Sequence, residues 1–159
     1  MLRLRFAVTP LVVAGCATSG SSPASSPSPG ASTNVVTPGR TLVATLNPTN
    51  ASGNRISGSV RLSPTDRPGE LRAEIDLRGG GYQNQFPWIV RRGQCGERGE
   101  DVGTPVNYRL IETKGDGMGR LNAVVRVTIP EGQTYRVDIL ASPTQRDLVV
   151  SCGVLSFVT

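Results

Sequence analysis

Apolar and polar side chains alternate over most of the chain beyond residue 40. Between Glu70 and Arg78, Leu71, Ala73, Ile75 and Leu77 fall on one side, and Arg72, Glu74, Asp76 and Arg78 on the other. A period of two is that of a half-buried antiparallel strand. Leu121, Ala123, Val125, Val127 and Ile129 repeat it, as do Ile56, Gly58, Val60 and Leu62, and Leu42, Ala44 and Leu46. Further strands are predicted over 86–92, 107–112, 134–141, 147–152 and 154–158. Turn signals punctuate these runs: Asn47-Pro48, Asp66-Arg67-Pro68-Gly69, Gly79-Gly80-Gly81, Lys114-Gly115-Asp116-Gly117 and Pro130-Glu131-Gly132. No stretch sustains a 3.6-residue period. The pattern predicts one all-β domain over 40–159, a two-sheet sandwich or flattened barrel of about eight antiparallel strands.

The first forty residues follow another rule. Arg3 and Arg5 precede an uncharged, mainly apolar run from Phe6 to Val13, closed by Ala14-Gly15-Cys16. This segment resembles a bacterial lipoprotein signal, with Val13 where leucine is usual. The resemblance implies a signal peptide over 1–15, cleavage before Cys16 and lipidation of its sulfur. More than one acyl chain is what stable membrane attachment requires. The apolar run is too short to span a bilayer, which takes roughly 20 residues. Ala17 stands where an aspartate would favour inner-membrane retention. The expected address is therefore the bacterial cell envelope, the outer membrane in preference to the inner. Residues 17–39, ATSGSSPASSPSPGASTNVVTPG, carry no charge and little apolar bulk. With Cys16 they are expected to form a disordered tether, 16–39, ahead of the folded domain.

Composition narrows the chemistry. Histidine is absent and there is one lysine, Lys114. That excludes a Ser-His-Asp triad, a Cys-His pair, an imidazole metal site and a histidine pH switch. Without Arg3 and Arg5, two of seventeen basic residues, the net charge falls from +5 to +3. So small an excess gives no ground for nucleic-acid binding. Of the three cysteines, Cys95 and Cys152 remain once Cys16 is set aside. In an exported chain a structural disulfide between them is expected, with reactive or metal-binding thiols as the alternative.

Two segments carry a family resemblance. One is Pro87-Trp88-Ile89-Val90-Arg91-Arg92-Gly93-Gln94-Cys95-Gly96; the other is Leu148-Val149-Val150-Ser151-Cys152-Gly153-Val154-Leu155. The second resembles the C-terminal strand of copper/zinc superoxide dismutases, where a Cys-Gly holds half of an intrasubunit disulfide. In that family the other half follows a His-x-His strand, as Cys95 follows Trp88-Ile89-Val90-Arg91. Gly58-Ser59-Val60-Arg61-Leu62 is similar to the opening strands. Tyr135-Arg136-Val137-Asp138-Ile139-Leu140 is similar to a late strand that supplies another copper ligand. The related CHRD domains are the neighbouring comparison. The resemblance spans roughly 40–158 and implies a Greek-key, superoxide dismutase-like sandwich.

The departures matter more than the matches. The positions of the copper histidines read Ile89, Arg91 and Leu140. A guanidinium offers no lone pair, and Ile and Leu offer no donor atom. The short segment after Cys95 holds only Glu97, Glu100 and Asp101 as oxygen ligands. The expectation is a non-catalytic protein with no cofactor, a binding or structural module whose partner is an envelope protein or a glycan. The alternative is a metal protein using Cys95, Cys152, Met118 or carboxylates. Candidate partner-binding residues are Trp88, Arg91, Arg92 and Arg98. Against that stand Trp88 as a packing anchor and the 91–101 run as a solvated loop of self-neutralising charge. Ile89 and Leu140, with Arg91 beside them, form either an exposed apolar spot or a surface covered by neighbouring loops.

Overall fold

The structure is a computed structural model and describes residues 39–50, 53 and 55–158. The expected signal peptide, Cys16 and all of the expected tether but Gly39 lie outside them. The elements are β1 (Leu42–Pro48), β2 (Ser57–Pro64), β3 (Glu70–Arg78), β4 (Gln85–Phe86), β5 (Trp88–Arg92), β6 (Ile111–Glu112), β7 (Gly119–Arg126), β8 (Tyr135–Ser142), β9 (Gln145–Val154) and β10 (Ser156–Phe157). There is no α-helix among the described residues, only a 3₁₀ turn at Pro105–Asn107. The main sheet is antiparallel, in the order β5-β8-β9-β1-β2-β3-β7, with β10 also on β1. It curls into a half-barrel, and β4 and β6 form a separate small pair.

The period of two decides which faces are inside. Ala73, Ile75 and Leu77 of β3 are buried, as are Val60 and Leu62 of β2 and Leu42, Ala44 and Leu46 of β1. They pack with Trp88, Val90, Val137 and Ile139 from the other half of the curl. The corner is made at β1. One edge of β1 runs along β2; the other meets β10 at Leu42–Val43 and β9 at Asn47–Pro48. Gly153 allows this close crossing, because a Cβ there would stand 2.4 Å from the Thr45 carbonyl oxygen.

Three expected strands differ. The 86–92 run is divided at Pro87, which has no N–H to give a ladder but whose carbonyl accepts from Leu140 N–H at 2.8 Å. The 107–112 run keeps only Ile111–Glu112 as strand. The 121–129 alternation is strand only to Arg126, whose partner is Glu70. Before Glu70 the chain turns through Asp66–Gly69 towards β2, so Val127–Ile129 have no strand to pair with.

β8 is the larger departure. Arg136, Asp138 and Leu140 share its outer face, which the alternation reads as a polar exterior. All three are buried, at 3%, 1% and 4% exposure. Ile89 of β5, paired with Asp138 of β8, is buried too. The exposed apolar spot at Ile89 and Leu140 is therefore absent, and the covered surface is what forms.

Candidate functional site

The register brings the resemblance positions to one place. Ile89 and Arg91 lie two apart on β5, opposite Asp138 and Arg136 of β8, and Leu140 follows on the same side. Cys152 of β9 stands opposite Asp138. The outer face of β5-β8-β9 thus carries Ile89, Arg91, Arg136, Asp138, Leu140 and Cys152 together.

Four of the charged side chains on and over this face form one cluster. The Asp138 carboxylate accepts from Arg136 Nε at 3.0 and 3.1 Å and from an Arg91 terminal nitrogen at 3.2 Å. Arg91 Nε also donates to Asp101 at 2.6 Å. The remaining nitrogens of Arg136 donate to the main-chain oxygens of Arg92, 2.7 Å, and Glu97, 2.9 Å. Two cations thus meet two carboxylates, and a buried guanidinium has its donors satisfied, as a buried charge requires. Burial works against the charged form of Arg91. The bonds and charges of Asp101 and Asp138 outweigh it, and the pKa lies above the ordinary arginine value.

A loop covers the cluster. Cys95 and Cys152 form a disulfide with Cα atoms 5.9 Å apart, tying the loop after β5 to β9. Arg92 N–H donates to Glu100 O at 3.0 Å and Val102 N–H to Val90 O at 2.8 Å, so residues 100–102 run along the outer edge of β5. Gly99 fits beneath because it has no side chain; a Cβ there would stand 1.9 Å from the Arg92 oxygen. The carboxylates of the loop are engaged by β5 and by the loop itself. Asp101 holds Arg91, Glu100 pairs with Arg92, and Glu97 accepts from Gln94 N–H.

Trp88 does not reach the surface. It is 2% exposed, its Nε1 donates to Arg109 O at 2.9 Å, and Tyr108 packs edge-on against it with ring centroids 4.7 Å apart. That corrects its candidacy as a partner-binding residue and leaves it a packing anchor. The Arg91 side chain, 20% exposed, is committed to two carboxylates. Arg92 and Arg98 remain at the surface. Arg98 borders a groove of about 570 Å³ between the loop and Asp147–Val149, with Asp138 among its lining residues.

The residues of the metal alternative are not gathered. Cys95 and Cys152 are bonded to each other, and Met118 stands just before β7, with three strands between it and β9 in the sheet order. No cluster of three or more His, Cys, Asp or Glu side chains fit for a metal occurs among the described residues.

Arg136, Asp138 and Asp101 are the site residues that sequence reasoning missed as a unit. One signal was present: Leu140 is apolar on a face otherwise read as exterior. Tyr108, whose hydroxyl donates to Val102 O, buttresses the same loop. Burial first, then the nearby Asp101 carboxylate, push its phenol up to about 12. The proton is held more tightly in the folded state than in the unfolded one. Stability from this group is thus full below pH about 10 and lost as pH rises towards about 12. The tyrosinate absorbance difference between the unsubstituted chain and Tyr108→Phe should centre near pH 12. A midpoint near 10 would show the phenol to be solvated.

Neither a scan of protein-family models nor a search of curated proteins finds a match to this chain.

Proposed function

We propose that this chain is a lipid-anchored protein of a bacterial envelope whose sandwich, similar to copper/zinc superoxide dismutases, serves as a non-catalytic binding or structural module. The observation that carries this reading is the cluster on the outer face of β5-β8-β9. Where the resemblance implies copper histidines, Ile89, Arg91 and Leu140 adjoin Arg136 and Asp138. Guanidiniums that donate to carboxylates leave no lone pair for a metal. A cross-linked loop whose carboxylates pair with the arginines of β5 can take over the bracing that ligands would otherwise give. The fold survives without the chemistry, as folds generally can.

Three further features support the reading. The strand bearing Ile89 and Arg91 adjoins the strand bearing Leu140, which adjoins that of Cys152. A disulfide suits an exported chain. The Val13-Ala14-Gly15-Cys16 motif supports the envelope address, and Ala17 after the cysteine favours the outer membrane over the inner. An envelope protein or a glycan is the partner proposed, met at Arg92, Arg98 and the adjoining groove.

The test is native and denaturing mass spectrometry of the protein extracted from membranes in mild detergent. The expected mass begins at Cys16, carries acyl groups, lacks two hydrogens for the disulfide and includes no metal. A retained copper or zinc ion, or free thiols at Cys95 and Cys152, would overturn the non-catalytic reading. A mass without acyl groups would overturn the anchor.

A further inference from the structure

The two ends of β2, β3 and β7 are unlike. At one end Ser57 stands opposite Arg78, and Gly119 opposite Leu77. At the other Pro64 stands opposite Leu71, and Arg126 opposite Glu70. β3, nine residues long, separates them by roughly 26 Å, at about 3.3 Å per residue. The first end carries a projection and the second a groove.

The projection is built from the loops at 79–84 and 114–118. Gly80 N–H donates to Gly117 O at 3.0 Å. The buried Thr113 ties the two together: its Oγ1 donates to Gly81 O at 2.9 Å and accepts from Asn84 N–H at 3.0 Å. Gln83 is held at φ 49°, the one left-handed residue other than glycine among the described residues. Such strain collects at recognition sites. The Tyr82 ring lies over Gly115, where a Cβ would stand 3.5 Å from it. Tyr82 is 69% exposed, and Met118, at the end of the same turn, 45%. Apolar side chains on a loop already braced lose little freedom on binding.

The groove, about 810 Å³, runs between the β2–β3 turn and the chain after β7. Leu71, Val127, Ile129 and Phe157 give it an apolar lining. It is open because pairing between β3 and β7 stops at Glu70–Arg126, and β10 is only a two-residue strand on the edge of β1. Projection and groove answer each other. Neither fills a copy of itself: two projections would meet tip to tip, and two grooves would enclose a void. Their charges match as well. Lys114 and Asp116 on the projection, and Asp66, Arg67 and Glu131 on the groove rim, are exposed and form no ion pair among the described residues. Each end therefore offers the other unpaired charge of both signs.

We propose that the Tyr82–Met118 projection of one copy seats in the groove of the next, so that the chain associates with itself head to tail. Tyr82 and Met118 lie against Leu71, Ile129 and Phe157, Lys114 meets the rim carboxylates, and Asp116 meets Arg67. A contact between two different surfaces is not closed by a two-fold axis, so copies add in series. The inference goes beyond the proposed function. It depends on neither the anchor nor the family resemblance.

Sedimentation velocity of the full chain in mild detergent, over a wide range of concentration, tests it. Pairs and then longer species should appear in series as concentration rises. Tyr82→Asp, which breaks the projection, and Phe157→Asp, which breaks the groove, should each weaken association about thirtyfold, the scale of losing a hot-spot aromatic. Mixed in equal amounts, the two variants should recover pairs and stop there, because one intact projection and one intact groove remain. Both residues are exposed, and thermal melting verifies that the variants fold. Phe157→Thr, which suits a strand, replaces the aspartate variant if that one unfolds. A single-chain species at every concentration, association untouched by either substitution, or a mixture no more associated than its parts would each overturn the contact. A mixture that grows beyond pairs would overturn the head-to-tail arrangement. Association through acyl chains in shared micelles is the same in every variant, so it is told apart from the contact.

Discussion

Replacing Cys95 and Cys152 together by alanine should destabilise the domain by about 4 kcal/mol, the chain-entropy value for closing a loop of about 58 residues. For a domain of this size that lowers the melting temperature by on the order of 15 °C. The effect acts largely through the unfolded chain, which the bond holds compact. The denaturant m-value should therefore rise as the midpoint falls. In the folded state the loop keeps other ties: Gly93 N–H to Thr134 O at 2.9 Å, and Arg136 to the oxygens of Arg92 and Glu97. Amide exchange should quicken over 93–101 and stay slow in β8 and β9. An unchanged melting curve would show that the bond is incidental to stability. Fast exchange throughout β8 would show that it holds the sheet itself.

The alternation made the all-β fold legible because each strand of the β1-β2-β3-β7 half faces the core on one side only. Ala73, Ile75 and Leu77 against Arg72, Glu74 and Asp76 leave no other reading of β3. The same rule failed on β8. There both faces are buried, one by the core and one by a loop, and period two cannot tell a loop-covered face from a wet one. Residues 107–112 misled for another reason. Tyr108 packs inward from an irregular segment and Ile111 from the two-residue β6, so their burial does not come from alternation along one strand.

The candidate site was legible in part. Cysteine arithmetic yielded the pair Cys95 and Cys152, and the resemblance directed attention to positions 89, 91 and 140. What occupies that face depends on contacts between residues 39 to 47 positions apart, Asp138 with Arg91 and Arg136 with Arg92 and Glu97, which no local pattern records. Trp88 shows the same limit. Its burial follows from Tyr108 and the Arg109 carbonyl, about twenty residues away.

Asp138→Ala should cost about 3–5 kcal/mol, the range for breaking a buried ion pair and leaving one partner charged. Arg136, 3% exposed, would keep only the two carbonyls for its charge. Arg91 would keep Asp101. Asp138→Asn preserves size and one acceptor but removes the charge, and should fall in the same range. The decisive comparison is the double replacement Arg136→Met with Asp138→Leu, which removes both charges and fills the volume. If the cost of the single variants is the uncompensated cation, the double variant should recover most of it in urea denaturation. If it stays as unstable as Asp138→Ala, the cluster acts through the carbonyl contacts by which Arg136 holds the loop. Repeating the set without the disulfide separates the two. Both devices hold the same loop, so their losses should exceed additivity if either alone suffices to seat it. They should sum simply if the bond acts only on the unfolded chain.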